Sequence, residues 1–138
     1  MHKTILAVLL ALAGACHAAH AGDLVIHVDN VKSAGGQVKV ALFDGAGNFL
    51  KKTARVAEAP AAAGAVTVTF KDVAAGDYGF SVYHDANDNG KLDRNMMGIP
   101  VEPFAFSNDA QGHMGPPAFD AAKIAVPAAG LDTTVTLR

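Results

Sequence analysis

An alternation of apolar and polar residues constrains this chain more than any other feature of its sequence. A mainly apolar set recurs at every second position in five segments, which are 24–28, 38–42, 66–70, 78–82 and 131–137. A period of two places neighbouring side chains on opposite faces of a β-strand, so each segment is predicted to bury one face. Turn signals such as Gly35-Gly36 and Asn89-Gly90 separate the segments.

The predicted fold is an all-β, immunoglobulin-like or prealbumin-like two-sheet antiparallel sandwich of about seven strands. Two further short strands are expected near residues 103–107 and 123–126. A short helix is expected within 44–55, with Phe49 and Leu50 packed on the sandwich edge. The predicted core residues are Ile26, Val40, Leu42, Val68, Phe70, Phe80, Val82 and Val135.

The alanine-rich stretch 57–64 is expected to be a loop or a poor helix, because Pro60 and Gly64 interrupt it.

Residues 1–21 have the layout of a secretory signal peptide. A basic start precedes an apolar run at 5–13, and Ala19-His20-Ala21 forms an Ala-x-Ala cleavage site. The run is shorter than the ~20 residues of a membrane-spanning helix, and no later stretch of the sequence is long and apolar enough to span. Cleavage after Ala21 would leave one domain, residues 22–138, in the periplasm or outside the cell.

The single cysteine leaves a second processing route open. Ala13-Gly14-Ala15-Cys16 resembles a lipoprotein signal, although Ala13 stands where leucine is usual. This route would anchor the protein to a membrane through an acylated Cys16. Cleavage after Ala21 would instead remove Cys16 and leave a mature protein without a thiol.

The charge of residues 22–138 argues against a nucleic-acid partner. Lys3 is the one basic residue of the first 21 that is not a histidine, which leaves 10 Lys plus Arg against 13 Asp plus Glu, a net charge of −3. Nucleic-acid-binding domains show a basic face instead. The partner classes that remain are an envelope protein or a glycan, and the oligomeric state stays open.

The segment after the fourth alternating segment predicts a metal site. Its oxygen donors fall at positions 1, 3, 5, 7 and 9 of a calcium loop, with Gly90 at position 6 for the sharp turn. The predicted ligands of one calcium ion are Asp85, Asn87, Asn89, the carbonyl of Lys91 and Asp93. Calcium takes 6–8 hard oxygen ligands, and this spacing curls such groups around one point.

The loop departs from an EF-hand at its end. Position 12 is Met96, where an EF-hand carries a bidentate glutamate, and no helices are expected on either side. Glu102 is a candidate for the missing acid. The alternative is a turn without metal, since Asn89-Gly90 is a strong hairpin signal by itself. That alternative leaves the placement of Asp85, Asn87 and Asp93 unexplained.

Several motifs together carry a family resemblance. They are His84-Asp85-x-Asn87-x-Asn89-Gly90-Lys91-Leu92-Asp93, Gly98-Ile99-Pro100, Phe106-Ser107-Asn108 and Gly115-Pro116-Pro117-x-Phe119-x-x-Ala122, preceded by Gly76-x-Tyr78. The chain resembles a family of small secreted bacterial proteins, the domain of unknown function 2141, except that Ala105 replaces a glycine. The resemblance implies a β-sandwich and no known activity. The loop also resembles calcium loops in the repeated sandwich modules of Gram-positive surface adhesins, which carry Glu in place of Met96.

Two classes of function stay open. The first is a non-enzymatic binding or structural module of the cell envelope, stiffened by calcium. The second is a periplasmic hydrolase with a cleft near His84, Glu102 and Ser107. The first is favoured because a sandwich fold alone licenses no activity, and because His84 falls on an inward phase where a hydrogen-bonded core histidine is expected.

Overall fold

A computed structural model describes residues 21–138. The predictions for the signal peptide and for Cys16 lie outside this range, apart from Ala21. The described part is an all-β sandwich, as predicted. Its strands are β1 (Ala21–Val31), β2 (Gln37–Asp44), β3 (Arg55–Pro60), β4 (Gly64–Ala74), β5 (Gly76–Asp85), β6 (Phe104–Phe106), β7 (Ile124–Val126) and β8 (Leu131–Thr136), with one short helix, α1 (Phe119–Ala122), and a 3₁₀ turn at Ser107–Asp109. No helix within residues 21–138 is long and apolar enough to cross a membrane.

The strands form two sheets. One sheet has the order β4-β1-β8, and the other has the order β3-β2-β5, with β6 and β7 lying end to end along the far side of β5. The named strand pairs are antiparallel except β1 and β8, which run parallel from Leu24↔Leu131 to Asp29↔Thr136. The parallel pair needs a long crossover, because a hairpin can join only antiparallel strands.

Alternating side chains fill the space between the sheets. All eight residues predicted for the core are buried there, which confirms the predicted phase of every strand concerned. A second, smaller cluster lies on the outer face of the larger sheet, where Phe49 contacts Phe43 and Phe119 edge-on at 5.6 Å between ring centroids. Gly79 lies under Phe49, and a Cβ there would come within 2.8 Å of the ring.

Two predictions about one edge were wrong. Residues 57–60 of the alanine-rich stretch belong to β3, which pairs with β2 from Gln37↔Pro60 to Leu42↔Arg55. Pairing with a neighbouring strand overrides weak local preference, and Pro60 is tolerated at the end of an edge strand. The stretch 44–55 forms turns rather than a helix, with Leu50 in a left-handed conformation at φ 57°. Phe49 is buried as expected, whereas Leu50 is 36% exposed.

Candidate metal site in the loop after β5

The candidate site begins where β5 ends. Asp85 is the last residue of β5, and the chain then makes a long excursion before it returns as β6. The excursion folds back on itself, because the N–H of Val101 donates to the carbonyl of Asp93 at 2.9 Å. The N–H of His84 donates to the carbonyl of Pro103 at 3.0 Å and closes its base. The predicted ligands therefore lie in a folded hairpin rather than in an open loop.

Asp85 organises the first turn of this hairpin. Its side chain is fully buried, and its Oδ1 accepts the N–H of Asn89 at 3.1 Å. Its Oδ2 accepts the N–H of Gly90 at 2.8 Å, and Gly90 has the positive φ of 80° that glycine adopts without strain. A carboxylate at the first position thus curls the backbone around itself, as the predicted ligand spacing requires.

The other predicted side-chain ligands meet at the same turn. The amides of Asn87 and Asn89 both contact the Asp93 carboxylate, the latter at 2.6 Å. The N–H of Asn89 is shared between Oδ1 of Asp85 and Oδ1 of Asn87, at 3.1 and 3.3 Å, so these two oxygens lie on the same side. The N–H of Lys91 donates to Oδ1 of Asn89 at 3.1 Å. Four predicted side chains therefore converge, and Lys91 belongs to the same turn.

The chemistry of the donors fits a hard cation. Hydrogen bonds from Asn89 and then Asn87 hold the pKa of the Asp93 carboxyl below its usual value, which already lies far below neutral pH. In this structure the amide nitrogens of Asn87 and Asn89 face Asp93 and their oxygens accept backbone N–H groups, so these side chains would have to rearrange to bind an ion through oxygen. No group of three or more His, Cys, Asp or Glu side chains within residues 21–138 is placed to hold a metal. Two carboxylates with neutral oxygens suit calcium better than a transition metal.

Glu102 has a role that the sequence did not reveal. Its Oε2 accepts the N–H of Ala86 at 2.8 Å, and its Oε1 accepts the N–H of Asp93 at 2.9 Å. One carboxylate therefore ties together the two ends of the candidate site. The residue is 9% exposed, so these bonds are largely shielded from water. Both oxygens that were candidates for the missing ligand are already engaged by backbone amides.

The residues of the hydrolase alternative make hydrogen bonds to different backbone groups and not to one another. His84 is buried, and its Nε2 lies 2.7 Å from the Gly35 carbonyl oxygen, which confirms the expected hydrogen-bonded core histidine. The hydroxyl of Ser107 is fully buried, donates to the Ala122 carbonyl and accepts the N–H of Phe80 at 3.0 Å. Among the hydrogen bonds of the described residues, none links two of the three side chains of His84, Glu102 and Ser107.

A groove of about 1030 Å³ lies beside the candidate metal site. Its floor includes Tyr83, Phe104 and Phe106 on the outer face of the larger sheet, and its rim includes Met97 and Met114 from two different loops. The two methionines are 83% and 97% exposed. Neither His84, Glu102 nor Ser107 lines the groove. The groove therefore presents exposed apolar side chains to solvent.

Comparisons with known proteins give a family. A search of curated proteins found no match to the chain, and a search of solved structures found none either. A family model described as "Uncharacterized protein conserved in bacteria (DUF2141)" matches residues 26–135. The match runs from within β1 to within β8 and includes the whole candidate metal site. The chain therefore belongs to the DUF2141 family of bacterial proteins.

Proposed function

We propose that this protein is an exported, non-enzymatic binding or structural module of the bacterial cell envelope whose loop at 85–93 binds a structural calcium ion. The observation that carries the proposal is the convergence of Asp85, Asn87, Asn89 and Asp93 in one turn. Asp85 and Glu102 already fold the backbone around that turn, so binding an ion would require the side chains to rearrange but not the backbone. Two carboxylates suit an affinity of about 10⁻⁴–10⁻³ M, the range of extracellular modules.

The apolar groove supports the binding role. Its rim carries flexible methionines, which adapt to differently shaped apolar partners. The groove is lined by polar side chains as well as apolar ones, among them Arg94, Asp109 and Gln111, so it offers both hydrogen-bonding groups and apolar contact. An envelope protein or a glycan would therefore be a suitable partner. The separate engagement of His84 and Ser107 by structural hydrogen bonds speaks against the hydrolase alternative.

Calcium should raise the unfolding midpoint of the wild-type domain, and Asp93→Asn should remove most of that rise. Asp93 contacts both asparagine amides and contributes one of the two carboxylates. With a Kd of about 10⁻⁴–10⁻³ M, an ion that binds only the folded state adds about 0.4–1.4 kcal/mol to its stability at 1 mM calcium. The measurement is thermal unfolding in chelator and in millimolar calcium. Asp93 suits this test better than Asp85, whose carboxylate also holds the backbone turn.

The matched control for this experiment is Asp88→Asn. Asp88 is exposed and adopts a left-handed conformation at φ 54°, which asparagine tolerates. Asp88→Asn removes one negative charge from the same loop, as Asp93→Asn does, but at a position outside the predicted ligand set. Its unfolding midpoint should therefore rise with calcium as the wild-type midpoint does. If the wild-type unfolding midpoint did not change with calcium, the metal site would be wrong and the loop would be an ordinary Asn-Gly turn. If both variants lost the calcium response equally, the response would depend on the overall negative charge of the loop and not on the predicted ligands.

Mass spectrometry of the exported protein should give Gly22 as the mature N-terminus. Ala21 pairs with Ala74 and Gly22 with Val73, so cleavage between them would leave β1 nearly whole. Cys16→Ala is the matched control, and its processing should be unchanged because plain secretion does not use the thiol. An acylated N-terminal Cys16, abolished in the variant, would show lipoprotein processing instead.

A further inference from the structure

Lys39 reaches the candidate metal site from a different strand. It lies on β2 directly opposite Glu58 of β3 and Tyr83 of β5. Its Nζ lies 3.4 Å from Oδ2 of Asp85 and 3.5 Å from Oε2 of Glu58. The Asp85 side chain is fully buried, whereas the Lys39 side chain is 18% exposed. The ammonium is therefore well placed to compensate a carboxylate that water cannot reach.

The electrostatics of Lys39 agree with this role. Two carboxylates, those of Asp85 and Glu58, lie within 3.5 Å of Nζ and favour its charged form. A lysine is in any case positively charged throughout the neutral range. The charge stands beside position 1 of the loop, the residue that anchors both the turn and the predicted ion.

We propose that Lys39 is a built-in counter-ion that sets the calcium affinity of the loop, holding Asp85 when no ion is bound and opposing the entry of a divalent cation. This inference rests on the proposed function. Without metal, the Lys39 charge and the backbone amides keep Asp85 satisfied, so the domain folds in the absence of calcium. With metal, two positive centres share one carboxylate. The site would then fill only where calcium is abundant, as it is outside cells.

Coulomb's law gives the size of the effect. A calcium ion held by the other oxygen of Asp85 would lie within about 8 Å of Nζ, because calcium–oxygen distances are ~2.4 Å. At that separation the repulsion, taken at the dielectric constant of water, weakens binding about fivefold at low ionic strength. A lower local dielectric constant makes the factor larger.

The test compares Lys39→Met and Lys39→Gln with wild type. Calcium dissociation constants are measured by isothermal titration calorimetry at low salt, and unfolding midpoints are measured in chelator. Both variants should bind calcium about fivefold more tightly or better, and both should unfold at a lower temperature in chelator. Glu58→Gln removes the other partner of Lys39 without touching the loop, and Lys39→Arg keeps the charge. Lys39→Arg should stay within about twofold of the wild-type constant, whereas Glu58→Gln removes a negative charge and should weaken binding by up to about threefold, the opposite direction from the neutral Lys39 variants.

The binding results distinguish a failure of the Lys39 role from a failure of the calcium site. Unchanged or weaker binding in the neutral Lys39 variants, with normal wild-type binding, would overturn the role of Lys39 and leave the proposed function standing. Binding by the neutral variants alone would support the inference, because the wild-type site would then be too weak to detect. Absence of binding in all the proteins would overturn the calcium site itself and this inference with it. If a variant unfolds in chelator, refolding driven by calcium and followed by circular dichroism gives an apparent constant, which equals the intrinsic one divided by the folded fraction in chelator.

Discussion

Replacing Phe70 with alanine is expected to lower the free energy of unfolding by about 3–5 kcal/mol. Phe70 lies on β4 in the core between the two sheets and is 1% exposed. Its removal loses the transfer free energy of a buried ring and leaves a cavity that rigid strands fill poorly. The guanidinium of Arg55 also lies 5.6 Å from the ring centroid and would lose its aromatic partner. Equilibrium unfolding in urea measures the loss.

Thr69→Ala is the matched control for Phe70→Ala. Thr69 neighbours Phe70 on the same strand but points to the opposite face, where it is partly exposed. Its replacement should cost about 1 kcal/mol or less, the usual span of strand preference. If Phe70→Ala cost no more than Thr69→Ala, the assigned face of β4 would be wrong, and with it the register between β1 and β4.

Replacing Asp85 with alanine is expected to lower the free energy of unfolding in chelator by about 3–5 kcal/mol. Two backbone amides, those of Asn89 and Gly90, would lose an ionised acceptor. Lys39 would lose a partner at 3.4 Å and keep only Glu58. Because the carboxylate is fully buried, water cannot replace these contacts without opening the hairpin. The loss is predicted without metal, and is therefore independent of the calcium proposal.

Two further variants test this prediction: Asp85→Asn as an intermediate case and Asp88→Asn as the matched control. Asparagine at 85 keeps one acceptor oxygen of the same shape but removes the charge, so its cost should fall between those of the other two variants. Asp88 is exposed, and its replacement should change the free energy of unfolding by about 0.5 kcal/mol or less. Unfolding in urea, in the presence of chelator, measures all three. If Asp85→Ala were as mild as Asp88→Asn, the hairpin would contribute nothing to the stability of the fold.

The sequence by itself determined the strands other than β3, and the buried faces of the five alternating segments. Alternation is a local property, so Val40, Phe80 and Val135 could be assigned to the core without knowledge of which strands pair. The spacing of Asp85, Asn87, Asn89 and Asp93 is also local, and the structure brings these side chains together in one turn. Their proximity follows from a short loop that folds on itself, for which ligand spacing is sufficient information.

Only the tertiary structure decided the contacts between distant segments. β3 was not predicted because its alanines show no strand preference, and it is held extended by pairing with β2 and by the packing of Ala57 and Ala59 against the core. Glu102 closes the loop from 16 residues beyond Ala86, and Lys39 reaches Asp85 from another strand. Such contacts depend on sheet order and register, which arise from burial across the whole domain rather than from the spacing of neighbouring residues.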